Sequence, residues 1–327
     1  LGYGLATIED AMNFLRLCFS VGVTLLWAAG EISRADELLP VSFERREGKL
    51  QIAIGQRPFA TYVWKDEQIH RPYFCSLYSP RGVQVTRNHP PLEGIDSVDH
   101  ADFHPGLWLS FGDLNGSDFW RNQARTEFIE FVQPPQGSAG RGDFAVTNYY
   151  RAKDDRLICQ EICQYTVLVR PAGYYWLIRS RFSSGNAFAF GDQEEMGLGV
   201  RVHTAMTVPK GGQILNSEGL KNEKEVWGRT AAWCDYSGTV NGVSVGVTLM
   251  PAPGNFRPCW FHARDYGLLA ANPFGRNAFT RLEKSRVTVA PGTEFQLAFG
   301  VLIHDTIPMD RASLDAAYQE FLRLIKN

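Results

Sequence analysis

The segment Val240-Asn241-Gly242-Val243-Ser244-Val245-Gly246-Val247-Thr248-Leu249 decides the fold class. Asn241 and Gly242 both tolerate the positive φ that a two-residue type I′ turn demands, so the run ending at Val240 is expected to fold back on residues 243–249 as a β-hairpin. Outward from it, β-type runs at 50–54, 59–64, 73–78, 128–132, 157–169, 174–182 and 295–303 are separated by Gly, Pro, Asn and Asp clusters. This spacing predicts an all-β fold, a large antiparallel β-sandwich, rather than alternating strand and helix units. No Pro/Ser-rich linker or internal repeat interrupts the span, and residues 36–327 are expected to form a single domain. One helix closes the chain. Asp310 can cap it, and Leu314, Ala317, Tyr318, Phe321, Leu322 and Ile325 recur at amphipathic spacing, so it should cover a sheet edge or face.

The 327 residues are 44% hydrophobic and 13% aromatic. A chain of this length can bury roughly three quarters of its unfolded surface, so stability needs no disulfide or metal staple. A net charge of −2, with 33 basic and 35 acidic residues and no long charge runs, gives no reason to bind nucleic acid or an anionic membrane.

Near the front, Met12 and Arg16 precede an apolar stretch over residues 17–30, followed by Ser33-Arg34-Ala35. This is a signal-peptide pattern over residues 12–35, with cutting expected after Ala35. Residues 1–11 read as an extension upstream of the initiator Met12. The apolar stretch falls short of the roughly twenty residues that span a bilayer, so no membrane association is expected after cleavage. Export to the periplasm or beyond follows. Five cysteines would remain, Cys75, Cys159, Cys163, Cys234 and Cys259. Cys159 and Cys163 stand roughly 13 Å apart on an extended strand, too far to bridge each other, and the five are expected to be buried free thiols.

Three segments concentrate chemistry. Asp99-His100-Ala101-Asp102-Phe103-His104 leads into Trp108 and then Phe111-Gly112-Asp113-Leu114, a polar stretch on an irregular path. Asp99, His100 and His104 can ligate a divalent metal, exchange protons with a carboxylate partner, or form a structural hydrogen-bond network. In the second, residues 195–203, alternation places Met196, Leu198, Val200 and Val202 on a core face and Glu195, Gly197, Gly199, Arg201 and His203 on the other. The two glycines are expected to leave open space for a ligand. A fully extended strand would hold Glu195 about 20 Å from Arg201, so the two meet only if the sheet curves or the strand begins later. In the third, Trp260, His262 and Arg264 point away from the core residues Phe261 and Ala263, a ring beside polar groups that suits a sugar. His70, His89 and His304 are expected to be structural. No phosphate loop, nucleophile elbow, zincin motif or dinucleotide fingerprint is present, and no nucleotide cofactor is expected.

At these residues the chain resembles the secreted bacterial proteins labelled methane oxygenase PmoA-like. The resemblance runs through Arg71-Pro72-Tyr73-Phe74, Val85-Thr86-Arg87, the segment from Asp99 to Trp120, Glu195 to Arg201 and Trp227-Gly228-Arg229. It continues through Trp233-Cys234-Asp235-Tyr236-Ser237-Gly238, Asn255, Trp260-Phe261-His262, Tyr266-Gly267-Leu268 and Asn272-Pro273-Phe274. It implies a supersandwich like that of galactose mutarotase, and carbohydrate-directed function.

The expected function is therefore acid/base chemistry on a sugar or oxidised sugar by a secreted lyase, hydrolase or epimerase-like protein. His100 or His104 would be the acid/base, with Asp113 or Glu195 as partner carboxylate. Arg201, His203, Asn255 and His262 would hold substrate oxygens, and Trp260 would stack on a ring. A non-catalytic carbohydrate-binding envelope protein is the alternative, and a metal-dependent oxidase the third, with methane oxidation disfavoured.

Overall fold

The structure is a computed structural model that describes Leu1 and residues 38–326; the leader pattern over residues 12–35 lies outside the described residues. The Asn241-Gly242 turn forms as expected: both residues have positive φ, 51° and 78°, and Val240 pairs with Val243 in an antiparallel ladder. The strands around this hairpin assemble into two eight-stranded sheets whose neighbours are antiparallel throughout.

The first sheet begins with β1 (Val41–Arg46), β2 (Lys49–Ile54), β3 (Arg57–Val63), β4 (Tyr73–Cys75) and β5 (Leu107–Phe111). The second contains β6 (Arg125–Ser138), β7 (Arg141–Arg151), β8 (Leu157–Arg170) and β9 (Gly173–Ser183). A small separate pair is formed by β10 (Phe188–Phe190) and β17 (Val287–Val289). β11 (Met196–Arg201) returns to the first sheet, and β12 (Gln213–Asn216), β13 (Cys234–Val240) and β14 (Val243–Pro251) belong to the second. β15 (Trp260–Arg264) and β16 (Leu268–Asn272) complete the first sheet, β17 (Val287–Val289) pairs with β10, and β18 (Glu294–His304) completes the second. The orders are β1-β2-β3-β4-β5-β11-β16-β15 and β12-β13-β14-β18-β9-β8-β7-β6. Two five-residue helices, α1 (Asn222–Val226) and α2 (Arg276–Thr280), and a longer α3 (Arg311–Leu324) lie outside the sheets.

Alternation along each strand builds the core between the sheets. In β8, Cys159, Glu161, Cys163 and Tyr165 point inward while Gln160, Ile162 and Gln164 point out. Aromatic rings dominate the interior: Phe74 and Trp176 lie 4.2 Å apart at their centroids, and Phe144 and Tyr165 4.8 Å apart. In the Phe74–Trp176 pair the edge of one ring meets the face of the other, which adds to area burial. All five cysteines among the described residues are free and buried. Burial pushes the Glu161 carboxyl up, and it takes hydrogen bonds from Asn148 Nδ2 at 3.0 Å and Tyr150 at 3.3 Å.

The two outer faces are finished differently. α3 lies against the second sheet, with Leu314, Ala317 and Phe321 packed with Tyr175, Leu177, Met250 and Leu302. Asp310 caps it by accepting from the Ser313 amide at 2.8 Å. Gly300 lets the helix come this close, since a Cβ there would stand 2.6 Å from the Phe321 ring. The outer face of the first sheet is covered by loops that bury Trp108 and Trp120 with Val63, Tyr73, Leu268 and Ala270. No helix among the described residues is long and apolar enough to cross a membrane.

Candidate functional site

Two buried arginines fix the loops over the first sheet. Arg87 donates to the carbonyls of Ser97 (2.9 Å), Asp99 (2.7 Å) and His104 (3.0 Å), and Arg71 to those of Trp120 (2.8 Å) and Phe103. Burial lowers them to about 10 and about 9, so both remain cations at neutral pH and tie down carbonyls that a buried loop would otherwise leave unpaired.

The loop so held delivers a column of rings. His100 stacks on Tyr266 (5.5 Å between centroids, 15°) and on His104 (5.0 Å, 26°), and His104 stacks on Trp108 (5.0 Å, 20°). His100 takes a left-handed backbone, φ 52°, unusual for a side chain of its size and a local strain of the kind that accumulates at functional sites. Its Nδ1 lies 2.9 Å from Asp99 Oδ2, and Arg201 holds both oxygens of Asp99 at 2.8 Å. Burial works against ionised Asp99, but the bonds from Arg201 and His100 prevail and hold it below the usual carboxylate range. An ionised carboxylate only accepts, so His100 Nδ1 carries the proton and the Nε2 lone pair is left for a ligand. The Arg201 guanidinium also sits 4.6 Å from the centroid of Tyr266.

Glu195 joins this group because β11 starts only at Met196 and Gly197 turns the chain with φ 94°. Its carboxylate meets Arg121 and lies 3.9 Å from His104 Nε2. Burial raises its pKa, partly offset by Arg121, and His100 is near enough to act on it electrostatically. Asn272 sets the approach by donating to the carbonyls of Gln193 (2.7 Å) and Glu194 (3.0 Å). His100 and Glu195 thus flank His104, bringing an oriented imidazole and a carboxyl whose pKa burial raises to the same face.

Other expected site residues have structural work instead. His104 is fully buried and its Nε2 accepts from the Trp120 indole at 3.1 Å; burial, with the neighbouring His100 and arginines, pushes its pKa well down. It stacks on His100, with its acceptor nitrogen committed to the indole. His262, expected to hold a substrate oxygen, has both ring nitrogens taken: Nδ1 donates to the Glu194 carbonyl at 3.2 Å and Nε2 accepts from Arg264 at 2.9 Å. Burial and Arg264 bring it to about 3. His203 caps a short 3₁₀ turn, its Nδ1 accepting from the Ala205 amide at 3.1 Å.

Asp113 accepts from the Gly116 amide at 3.0 Å within its own turn. Asn255 lies in the loop after β14, its amide bonded at both ends to the backbone of Ala298 on the other sheet. Half-buried Trp260 packs toward Phe279 at 6.4 Å, outside the His100 column.

The glycines of β11 do not open a ligand space. A Cβ on Gly199 would stand 2.7 Å from Trp120 and 2.9 Å from Trp108, and one on Gly197 would stand 2.2 Å from the Ala271 carbonyl oxygen. Protein fills what the sequence suggested was free. Nor do the candidate metal donors converge: Asp99 is paired with Arg201 and His100, and the acceptor nitrogen of His104 takes an indole proton. Among the described residues no group of three or more His, Cys, Asp or Glu is placed to hold a metal ion.

Sequence reasoning missed Arg121 and the part played by Tyr266. Neither has a local signature, because each reaches the site through the fold. Exposed His100 therefore sits on a shelf with half-exposed Arg121, Glu194, Arg264 and Tyr266, over buried Glu195.

The fold and site define an antiparallel β-sandwich protein with an Asp–His–Arg relay and a buried glutamate on one outer face. The chain belongs to a family of unknown function, DUF6807, whose model matches residues 49–319. No curated protein matches it in sequence. Among solved structures it is similar to a GH36 α-galactosidase from Geobacillus stearothermophilus, with 11% identity over 81% of this chain and 41% of that one and a TM-score of 0.44. An α-galactosidase from Lactobacillus brevis shows 8% identity over 86% and 42%, TM-score 0.47. Galactose 1-epimerase from Lactobacillus acidophilus shows 9% over 82% and 100%, TM-score 0.38. The chain spans about two fifths of the length of the α-galactosidases.

Proposed function

We propose that the protein is a carbohydrate-active enzyme in which His100 Nε2 takes a proton from a sugar or oxidised sugar and Glu195 is the partner acid. The observation that carries this reading is the relay itself: Arg201 fixes Asp99, Asp99 fixes the His100 tautomer, and the other nitrogen of this partly exposed ring has no hydrogen-bond partner among the described residues. Imidazole suits proton removal near neutral pH from a carbon beside a carbonyl, the electron pair moving toward oxygen. Glu195 protonates the oxygen that gains the electrons, and Arg121 then balances its carboxylate. The enol so formed completes an epimerisation by taking a proton back at carbon on the opposite face as its hydroxyl proton is lost, or an elimination by expelling the oxygen substituent on the next carbon, which leaves with the proton held by His100 while the enol hydroxyl returns its proton to Glu195. The mixture of guanidinium and carboxylate groups around His100 suits a hydroxyl-rich ligand, and the resemblance to the PmoA-like proteins supports a saccharide.

Export from the cytoplasm belongs to the same reading, on the leader pattern over residues 12–35; secreted protein beginning at Asp36 would support it and retention of the leader would contradict it. The enzymatic reading is tested by incubating the purified protein with neutral, uronic and keto sugars and following products by mass spectrometry. Wild type should give a product that His100→Ala lacks at unchanged melting temperature. Equal product from the variant would overturn the assignment, and saturable binding without product would make the protein a binding module.

A further inference from the structure

The outer face of the second sheet is only half covered. Beyond the end of α3, a recess of about 660 Å³ opens between residues 322–326 and the loop at 252–255. Its floor is written in the strand register. Gln133 on β6, Ala145 on β7, Gln164 on β8, Arg179 on β9 and Ala298 on β18 lie side by side across five strands. Two residues along, Ile162, Arg181 and Gln296 form a second row. The alanines are gaps in the rows, so the long polar side chains stand around a hollow.

Three features separate this hollow from an ordinary wetted sheet face. Among the described residues, Arg179, Arg181 and Lys326 line it and no carboxylate does, in a chain whose overall charge is only −2. The side-chain amides of Gln133, Gln164 and Gln296 make no hydrogen bond within the protein among the described residues, although Gln133 and Gln164 are half-buried. The rims are tied to the sheet: Asn255 exchanges two hydrogen bonds with Ala298 (2.9 and 2.8 Å), and Arg179 donates to the Ile325 carbonyl at 2.8 Å. Arg181 meets Glu294 only at 3.8 Å with both half-exposed, a pairing that a ligand can displace.

We propose that this recess is a second binding site, for an acidic oligosaccharide. Its carboxylates would pair with Arg179 and Arg181, and its hydroxyls with the three glutamine amides. Amides both donate and accept, as hydroxyl groups require, and arginine forks match carboxylates. Five strands at about 4.8 Å spacing carry these groups across about 19 Å, so the ligand spans several rings. The site lies on the opposite sheet from His100 and does not depend on chemistry there.

The test is calorimetric titration of the full-length protein with trigalacturonate and with the uncharged galactose trimer. Trigalacturonate should bind at least tenfold more tightly than the neutral trimer. Arg179→Gln/Arg181→Gln should weaken it tenfold or more, while His100→Ala leaves the affinity unchanged. Gln164→Glu, on the half-buried floor, should weaken it likewise and serves if the double variant does not fold. Equal binding of the two trimers, no binding of trigalacturonate, or affinity kept in the arginine and Gln164 variants would overturn the proposal. Affinity lost only in His100→Ala would place the acid at the other face, sparing the catalytic reading and not this one.

Discussion

Asp99 and His100 are neighbours in sequence whose side chains meet at 2.9 Å because the His100 backbone is left-handed, turning the imidazole back over the residue before it. Arg201, from a strand more than a hundred residues later, completes the relay from below. One ring nitrogen is thereby committed to the protein and the other to whatever occupies the shelf.

If that commitment matters, Asp99→Asn should lower turnover by about 10²- to 10⁴-fold, as His100→Ala should, with little change in substrate affinity. Steady-state kinetics beside thermal melting separates this from a folding defect. A variant at wild-type turnover would remove Asp99 from the account.

Glu195 must hold its proton to act as the acid, so turnover should fall as pH rises through its elevated pKa. Arg121 works against that elevation. Arg121→Ala should therefore shift the alkaline limb of the pH–rate profile to higher pH, and Glu195→Gln should abolish the limb together with most of the rate. An unmoved limb in Arg121→Ala would assign the ionisation to another group.

Acid should unfold the protein through its buried imidazoles. His262 is held neutral down to about 3 and His104 well below its ordinary value, both chiefly by burial. A depressed folded-state pKa gives stability that is full above the unfolded value of about 6.5 and is lost as pH falls toward the folded value. For His262 this loss is on the order of 4 to 5 kcal/mol. Urea unfolding at a series of pH values should show the decline, and His262→Gln should flatten it.

Glu161 carries the opposite dependence. Burial raises its pKa, so its contribution is full below the unfolded carboxyl value and is lost as pH rises through the folded one. Glu161→Gln keeps the shape without the charge and should cost no more than about 1 kcal/mol, whereas Glu161→Ala strands Asn148 and Tyr150 beside a cavity and should cost about 2–4 kcal/mol. Chemical denaturation of the two variants at neutral pH checks the ordering.

Gly199 is required by packing. An alanine methyl there would press on both Trp120 and Trp108, which overpacks the face supporting His104 and should cost about 1–3 kcal/mol. A melting temperature equal to wild type would show that the tryptophans can yield.

Much of the fold was legible because its signals are local. The Asn241-Gly242 turn, the alternation that puts Met196, Leu198, Val200 and Val202 in the core, and the Asp310-capped helix each follow from a few adjacent residues. The site was legible where its members are close in sequence, as with Asp99 and His100, or lie on one strand face, as with Arg201. Long-range packing hid the rest. Arg121 reaches Glu195 across a loop, and Asn255 was assigned to a site that lies on the other sheet. The glycines misled for a related reason: a sequence shows where a side chain is missing but not that Trp108 and Trp120 fill the gap.

The most direct test of the central claim needs no substrate: long-range nitrogen–proton NMR of the His100 ring at mildly alkaline pH, in the wild type and in Asp99→Asn. The account predicts that the neutral wild-type ring carries its proton on Nδ1, with Nε2 unprotonated, and that Asp99→Asn relaxes this preference. A wild-type ring protonated on Nε2 would contradict it, because the nitrogen facing the shelf could not then act as the base.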